Sequence, residues 1–168
     1  MLFSGDAIKA KGVPGSLMTE RKEKTGRVSV SAQFKMEPGE TAYDEDGREI
    51  NVGGQVLTWY STITDKSRAR TIESMVLAGL PENVAEKMII MAEAGKCGKT
   101  SLPQFGTQIV ALKCKIDDYD GKERTKVEWV NSPSGLYGKR AQAEELDFGD
   151  IAPSSAPTRS RDADDPYA

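Results

Sequence analysis

There is no histidine among the 168 residues of this chain. That absence removes Ser-His-Asp and Cys-His nucleophile systems, imidazole acid–base chemistry and histidine-ligated metals together. Cysteine is scarce: only Cys97 and Cys114 occur, with no CxxC or other metal-ligand spacing. They read as free thiols in a reducing compartment, Cys114 as a small buried hydrophobe. No apolar run approaches the roughly 18 residues of a membrane helix, so no membrane partner is expected. The opening MLFSGDAIKAKG lacks the apolar stretch of a secretory signal. Neither GxxxxGK[ST] nor GxGxxG is present. Lys96 and Lys99 in GKCGKTSLPQFG sit at the wrong glycine spacing for a phosphate loop, and no strand precedes them. No paired-carboxylate motif stands out. These absences argue against an enzyme, and no cofactor or metal is expected.

What is present is charge, unevenly spread. Hydrophobic residues make up 38% of the chain and charged residues 29%, which suits one core of roughly 100–120 residues with polar extensions. Net charge is −3, yet the segment from Ala141 onward holds seven acidic residues and two arginines, hence −5, leaving +2 on residues 1–140. An acidic tail on a slightly basic body is a layout found in proteins that handle polyanions. A solubilising tail is the alternative.

Residues 1–26 are polar and contain Gly12, Pro14, Gly15 and the cluster TERKEKTGR. They read as a flexible arm, from which Arg21, Lys22, Lys24 and Arg27 either reach a phosphate backbone or stay solvated. Residues 27–36 alternate, with Val28, Val30, Ala32, Phe34 and Met36 on one parity, as a half-buried strand does. A Pro-, Gly- and Asp-rich loop follows. Residues 50–63 read as a second strand, bent at Gly53-Gly54. Trp59 and Tyr60 fall on opposite parities there, so one ring stays available for stacking whichever face is buried. The period then turns helical. Residues 64–80 place Ala69, Ile72, Met75, Val76 and Leu80 on one face, with Thr64 or Asp65 as N-cap. A shorter helix over 82–93 carries Val84, Met88, Ile89 and Met91.

The most regular stretch is 106–132, GTQIVALKCKIDDYDGKERTKVEWVNS. Val110, Leu112, Cys114 and Ile116 share one parity; Ile109, Ala111, Lys113 and Lys115 share the other. Asp120-Gly121 is a pair that accepts positive φ, as a tight hairpin turn needs. Beyond it, alternation groups Val127 with Trp129, and Lys126 with Glu128 and Val130. Tyr119, Lys122 and Arg124 surround the tip. After Asn131 periodicity is lost, and the Ser-, Ala-, Pro- and Asp-rich remainder has the composition of a disordered acidic tail.

Strand, strand, helices, hairpin: this order predicts a mostly β protein with a helical insert, an OB-fold-like β-barrel over 27–131 with the insert at 65–94 and the tail at 132–168. In such a barrel, cations follow phosphates and rings stack on bases without regard to sequence. The candidate nucleic-acid-binding residues are Trp59, Tyr60, Lys113, Lys115, Tyr119, Lys122, Arg124, Lys126 and Trp129. The alternative for the hairpin is an ordinary β-surface whose lysines guard an edge.

The hairpin ALKCKIDDYDGKERTKVEWVNSP, preceded by strands and a short helical insert, resembles the core of phage-encoded single-stranded DNA-binding proteins. The final DADDPYA resembles the acidic tip of the bacterial and phage members. The resemblance implies sequence-independent binding of single-stranded DNA in replication or recombination, in a host cell's cytoplasm. It implies a partner-docking tip at Asp162, Asp164, Asp165, Pro166 and Tyr167. This chain departs from the pattern in having Tyr where Phe is usual, followed by Ala168. The alternatives are a phage protein-interaction module or inhibitor of a host protein that does not bind nucleic acid, and a structural accessory protein that self-associates as a homo-oligomer.

Overall fold

A computed structural model describes residues 1–133, which belong to one compact unit. The predicted tail, its tip and the boundary at 132–168 lie, apart from the first two residues, outside the described residues. The fold is mostly antiparallel β with two helices. Its strands are β1 (Gly5–Gly12), β2 (Met18–Arg21), β3 (Val28–Met36), β4 (Thr41–Tyr43), β5 (Glu49–Asn51), β6 (Val56–Thr62), β7 (Gly98–Lys99), β8 (Ile109–Tyr119) and β9 (Lys122–Asn131). Helices α1 (Arg68–Leu77) and α2 (Glu82–Glu93) lie in sequence between β6 and β7.

β3 is the hub. One edge pairs with β6 along its length; the other takes β2 at residues 28–31 and β1 at 34–36. β1 continues to β8, and β8 to β9. This order is OB-like, but the sheet does not close. β9 and β6 run near one another with no ladder between them. At this seam α1 supplies what a strand would otherwise supply. Arg70 Nη2 donates to the Val130 carbonyl at 3.4 Å and to Asn131 Oδ1 at 3.0 Å, satisfying groups on the free edge of β9.

The flexible arm expected over residues 1–26 is a correction. Nearly half of it forms β1 and β2, and Phe3, Ile8, Ala10 and Leu17 are buried. The inward positions of β1 are Ile8, Ala10 and Gly12, two of them small. A Cβ on Gly12 would collide with the Phe105 ring, so a flat glycine face is needed there. The small side chains that let Phe105 approach also hide the strand from a hydrophobic reading. Residues 50–63, expected as one bent strand, divide at the bend into β5 and β6.

A reciprocal pair closes the turn that leads into α1, whose N-cap residue is Ser67: the Ser67 N–H donates to Thr64 Oγ1 (3.1 Å) and the Thr64 N–H to Ser67 Oγ (2.8 Å). Arg68 N–H then bonds the Thr64 carbonyl, starting the helical ladder. The buried stripe of α1 is more polar than its spacing suggested. Thr71, Ser74 and Met75 are buried, whereas Ala69 is exposed. Thr71 Oγ1 reaches Ser61 Oγ on β6 at 2.6 Å, so this polar patch is satisfied against the sheet. Helices α1 and α2 are tied by a bidentate Arg68–Glu93 pair at 2.7 and 3.0 Å, which holds the Glu93 carboxyl below its usual range. Among the described residues no helix is long and apolar enough to span a membrane.

The two thiols differ in setting. Cys97 is exposed; Cys114 is buried in the core, and burial pushes its pKa up to about 12. A thiol with so high a pKa is almost wholly protonated at neutral pH, and the thiolate is the reactive form. In a titration with an aromatic disulfide reagent, one thiol per native chain is expected to react within minutes. The second should react only after denaturant is added. Two rapid equivalents in the native state would contradict this placement of Cys114.

Candidate nucleic-acid interface

The hairpin turns at Asp120 (φ 55°) and Gly121 (φ 80°), a two-residue loop with both central residues at positive φ. Its twist matches that of the flanking strands, so β8 and β9 stay paired to the tip, where Tyr119 faces Lys122. Paired residues share a side of the sheet. Val110, Leu112 and Cys114, with partners Val130 and Val127, form the core side. The other side carries Lys113 opposite Trp129, Lys115 opposite Lys126, Asp117 opposite Arg124, and Tyr119 opposite Lys122.

Residues 113–128 carry five cations and five acids, so the segment has no net charge. Pairing sorts them. All five cations stand on the outward side, joined there by Asp117 and Glu128. Asp118 and Glu123 face each other on the opposite side, and Asp120 lies in the turn. A neutral stretch of sequence thus becomes a cationic face with two rings on it.

Trp129 joins this face because of an irregularity. The register shifts between Lys113 and Cys114, which pair with Trp129 and Val127, leaving Glu128 as the extra residue. A bulge of this kind reverses the parity of everything beyond it. The alternation that grouped Val127 with Trp129 is therefore corrected. Val127 and Val130 both enter the core, while Trp129 turns out beside the lysines and is only half-buried. Glu128, released from strict alternation, reaches Lys113 Nζ at 3.8 Å and Lys115 Nζ at 3.6 Å. Its carboxylate partly neutralises the two lysines it holds in place.

Each ring on the face has a guanidinium against it. Arg124 stacks 4.3 Å from the centre of Tyr119, and Arg70 of α1 lies 4.7 Å from the centre of Trp129. Such cation–π contacts are strongest where water is excluded. Tyr119 is 62% exposed, so its pairing is loose; Arg70 is largely covered and lies over the Trp129 ring. Nothing in the helical pattern of α1 separates Arg70 from an ordinary solvated arginine. Only the return of the chain at β9 gives it this neighbour.

Of the nine expected residues, the structure gathers seven: Lys113, Lys115, Tyr119, Lys122, Arg124, Lys126 and Trp129. Trp59 is a correction. It is 5% exposed and packs edge-on against Phe34, with ring centroids 6.3 Å apart and planes at 74°. The pairing of Ala32 with Trp59 and of Phe34 with Leu57 assigns that parity of β6 to the core. Tyr60, on the other parity, is 53% exposed, and its hydroxyl bonds Ser29 Oγ at 2.8 Å. It stands on β6, across the unpaired seam from β9, and is not part of the hairpin face. Lys22, Lys24 and Arg27 are exposed at the tight turn from β2 to β3. Among the described residues no group of three or more Cys, Asp or Glu side chains is placed to hold a metal ion. No protein-family model matches this chain, and neither a curated protein nor a solved structure matches it at a significant level.

Proposed function

We propose that the protein binds single-stranded DNA without sequence preference, through the outward side of β8 and β9. The observation that carries this reading is the sorting of a neutral segment into a face where five cations surround Trp129 and Tyr119. Cations follow the phosphates, and each ring offers a surface to any base, a contact of roughly 1–3 kcal/mol that ignores base identity. In this reading the protein coats single strands during phage DNA replication or recombination and performs no catalysis. The resemblance to phage single-stranded DNA-binding proteins is the reason for naming that setting. The acidic segment from Ala141 onward, with its tip at Asp162, Asp164, Asp165, Pro166 and Tyr167, lowers DNA affinity as a tethered polyanion and recruits partner proteins.

The test is a fluorescence titration with oligo(dT) and with duplex DNA at several salt concentrations. Single strands should quench tryptophan emission and bind more tightly than duplex. The logarithm of the affinity should fall with the logarithm of salt at a slope of about −3 to −4, as five single-strand phosphate contacts imply. Deleting residues 141–168 should tighten binding at low salt. No binding, or binding insensitive to salt, would refute the reading and leave a protein-interaction module in its place.

A further inference from the structure

Two pairs of lysines face each other directly across neighbouring strands on the outward side of the sheet. One is Lys115–Lys126 in the hairpin. The other lies at the far side of β8: Lys11 on β1 is opposite Lys35 on β3. Like charges directly opposite destabilise a sheet. In the hairpin, Glu128 stands 3.6 Å from Lys115 and relieves part of this repulsion. Lys11 and Lys35 are both exposed, and neither makes an ion pair among the described residues.

The row extends in both directions. Lys35 is opposite Val56 on β6, and Lys11 is opposite Ile109 on β8. Four outward side chains therefore line up over four strands as Val56, Lys35, Lys11 and Ile109. Val56 is 45% and Ile109 37% exposed, among the more exposed large hydrophobic residues of the fold. A doubled cation bracketed by apolar side chains matches a nucleotide's chemistry: phosphate oxygens for the ammonium groups, ribose or base faces for the flanks. A simple salt-guarded edge would need neither the doubling nor the flanks.

We propose that Lys11 and Lys35 form a second phosphate site, engaged by a single strand already held at the hairpin. The inference rests on the reading of the hairpin face given above. Ile109 and Lys115 are six residues apart on β8, about 20 Å at the usual strand rise, so only a strand of several nucleotides spans both sites. The path between them runs over Lys9, which is exposed, because its row neighbours Ala111 and Asn131 are buried. Glu40 accepts the Lys9 backbone N–H at 2.8 Å and brings a carboxylate to that point. The site is therefore the Lys11–Lys35 pair, and Lys9 is the crossing.

The experiment compares the full-length protein with a Lys11→Gln/Lys35→Gln variant on two oligo(dT) probes, one of about 4 nucleotides and one of about 16, the range of site sizes for single OB folds. On the long probe the variant should bind more weakly, with a salt slope shallower by about 1.4, the share of two single-strand phosphate contacts. On the short probe it should bind as the wild type does. Its melting temperature without DNA should be equal or higher, since a repulsive pair has been removed. An unchanged slope and affinity on the long probe would overturn the second site while leaving the hairpin reading intact. An equal loss on both probes would overturn it too, by showing a general effect of net charge. Absence of salt-dependent binding by the wild type would remove the hairpin reading and this inference with it.

Discussion

Replacing Lys115, Arg124 and Lys126 together by glutamate is expected to weaken single-stranded DNA binding by about 100-fold or more at moderate salt. Loss of three phosphate contacts at roughly 1 kcal/mol each gives that order, and the introduced carboxylates add repulsion. The salt slope should fall by about 2 or more in the same titration. These three residues are chosen because each is outward and exposed or half-exposed, so the fold should lose little. Surface changes of this kind usually alter stability within about 0.5 kcal/mol. Lys115 and Lys126 are also directly opposed, and their reversal retains a like-charge pair rather than creating a new ion pair. The companion change is Glu128→Gln. It removes the carboxylate that holds Lys113 and Lys115 at 3.8 and 3.6 Å. An exposed pair contributes at most about 1 kcal/mol, so affinity should rise by up to about fivefold. Opposite responses of two variants on one face are difficult to produce by misfolding. If the triple variant binds oligo(dT) as the wild type does, the hairpin is not the interface.

Some of this face was legible before any coordinates, and the part that was not has physical causes. The Asp120-Gly121 turn and the alternation through Cys114 locate the hairpin, because turn chemistry and strand parity are both local properties of sequence. The bulge is not local in that sense. The run Lys126, Val127, Glu128, Trp129, Val130 reads as unbroken alternation, and only pairing with β8 shows that Glu128 is extra. The consequence is large, since the bulge moves Trp129 from the core parity to the cationic one. The choice between Trp59 and Tyr60 was open for a related reason. Both faces of β6 carry a ring, and burial was decided by β3, whose Ala32 and Phe34 bring the core to Trp59. β1 is faint in the sequence because two of its three inward residues, Ala10 and Gly12, are small, and Ile8 alone carries hydrophobic signal there. Arg70, Lys11 and Lys35 became candidates only when distant strands set them beside a ring or beside each other.

The second large effect separates the two tryptophans. Trp59→Ala is expected to destabilise the fold by about 3–5 kcal/mol, the usual cost of truncating a large buried aromatic. Trp59 is 5% exposed and buttresses Phe34, which in turn packs at 5.8 Å against Phe105, so the cavity would open where three rings meet. Domains of this size have a total stability of roughly 5–15 kcal/mol, and the melting temperature should drop on the order of 10 °C or more. The milder Trp59→Phe keeps an aromatic in the site, costs about a third as much by the same packing logic, and leaves a folded protein to titrate. Its DNA affinity and its fluorescence quenching by oligo(dT) should match the wild type, because the remaining reporter is Trp129 beside Lys113. Trp129→Phe should do the reverse: near-normal stability, and a titration in which tryptophan quenching by DNA is lost although binding, followed by anisotropy of a labelled oligonucleotide, persists with modest weakening. Quenching that survives in Trp129→Phe and vanishes in Trp59→Phe would place the strand against β6 instead of β9 and move the interface to the opposite side of the seam.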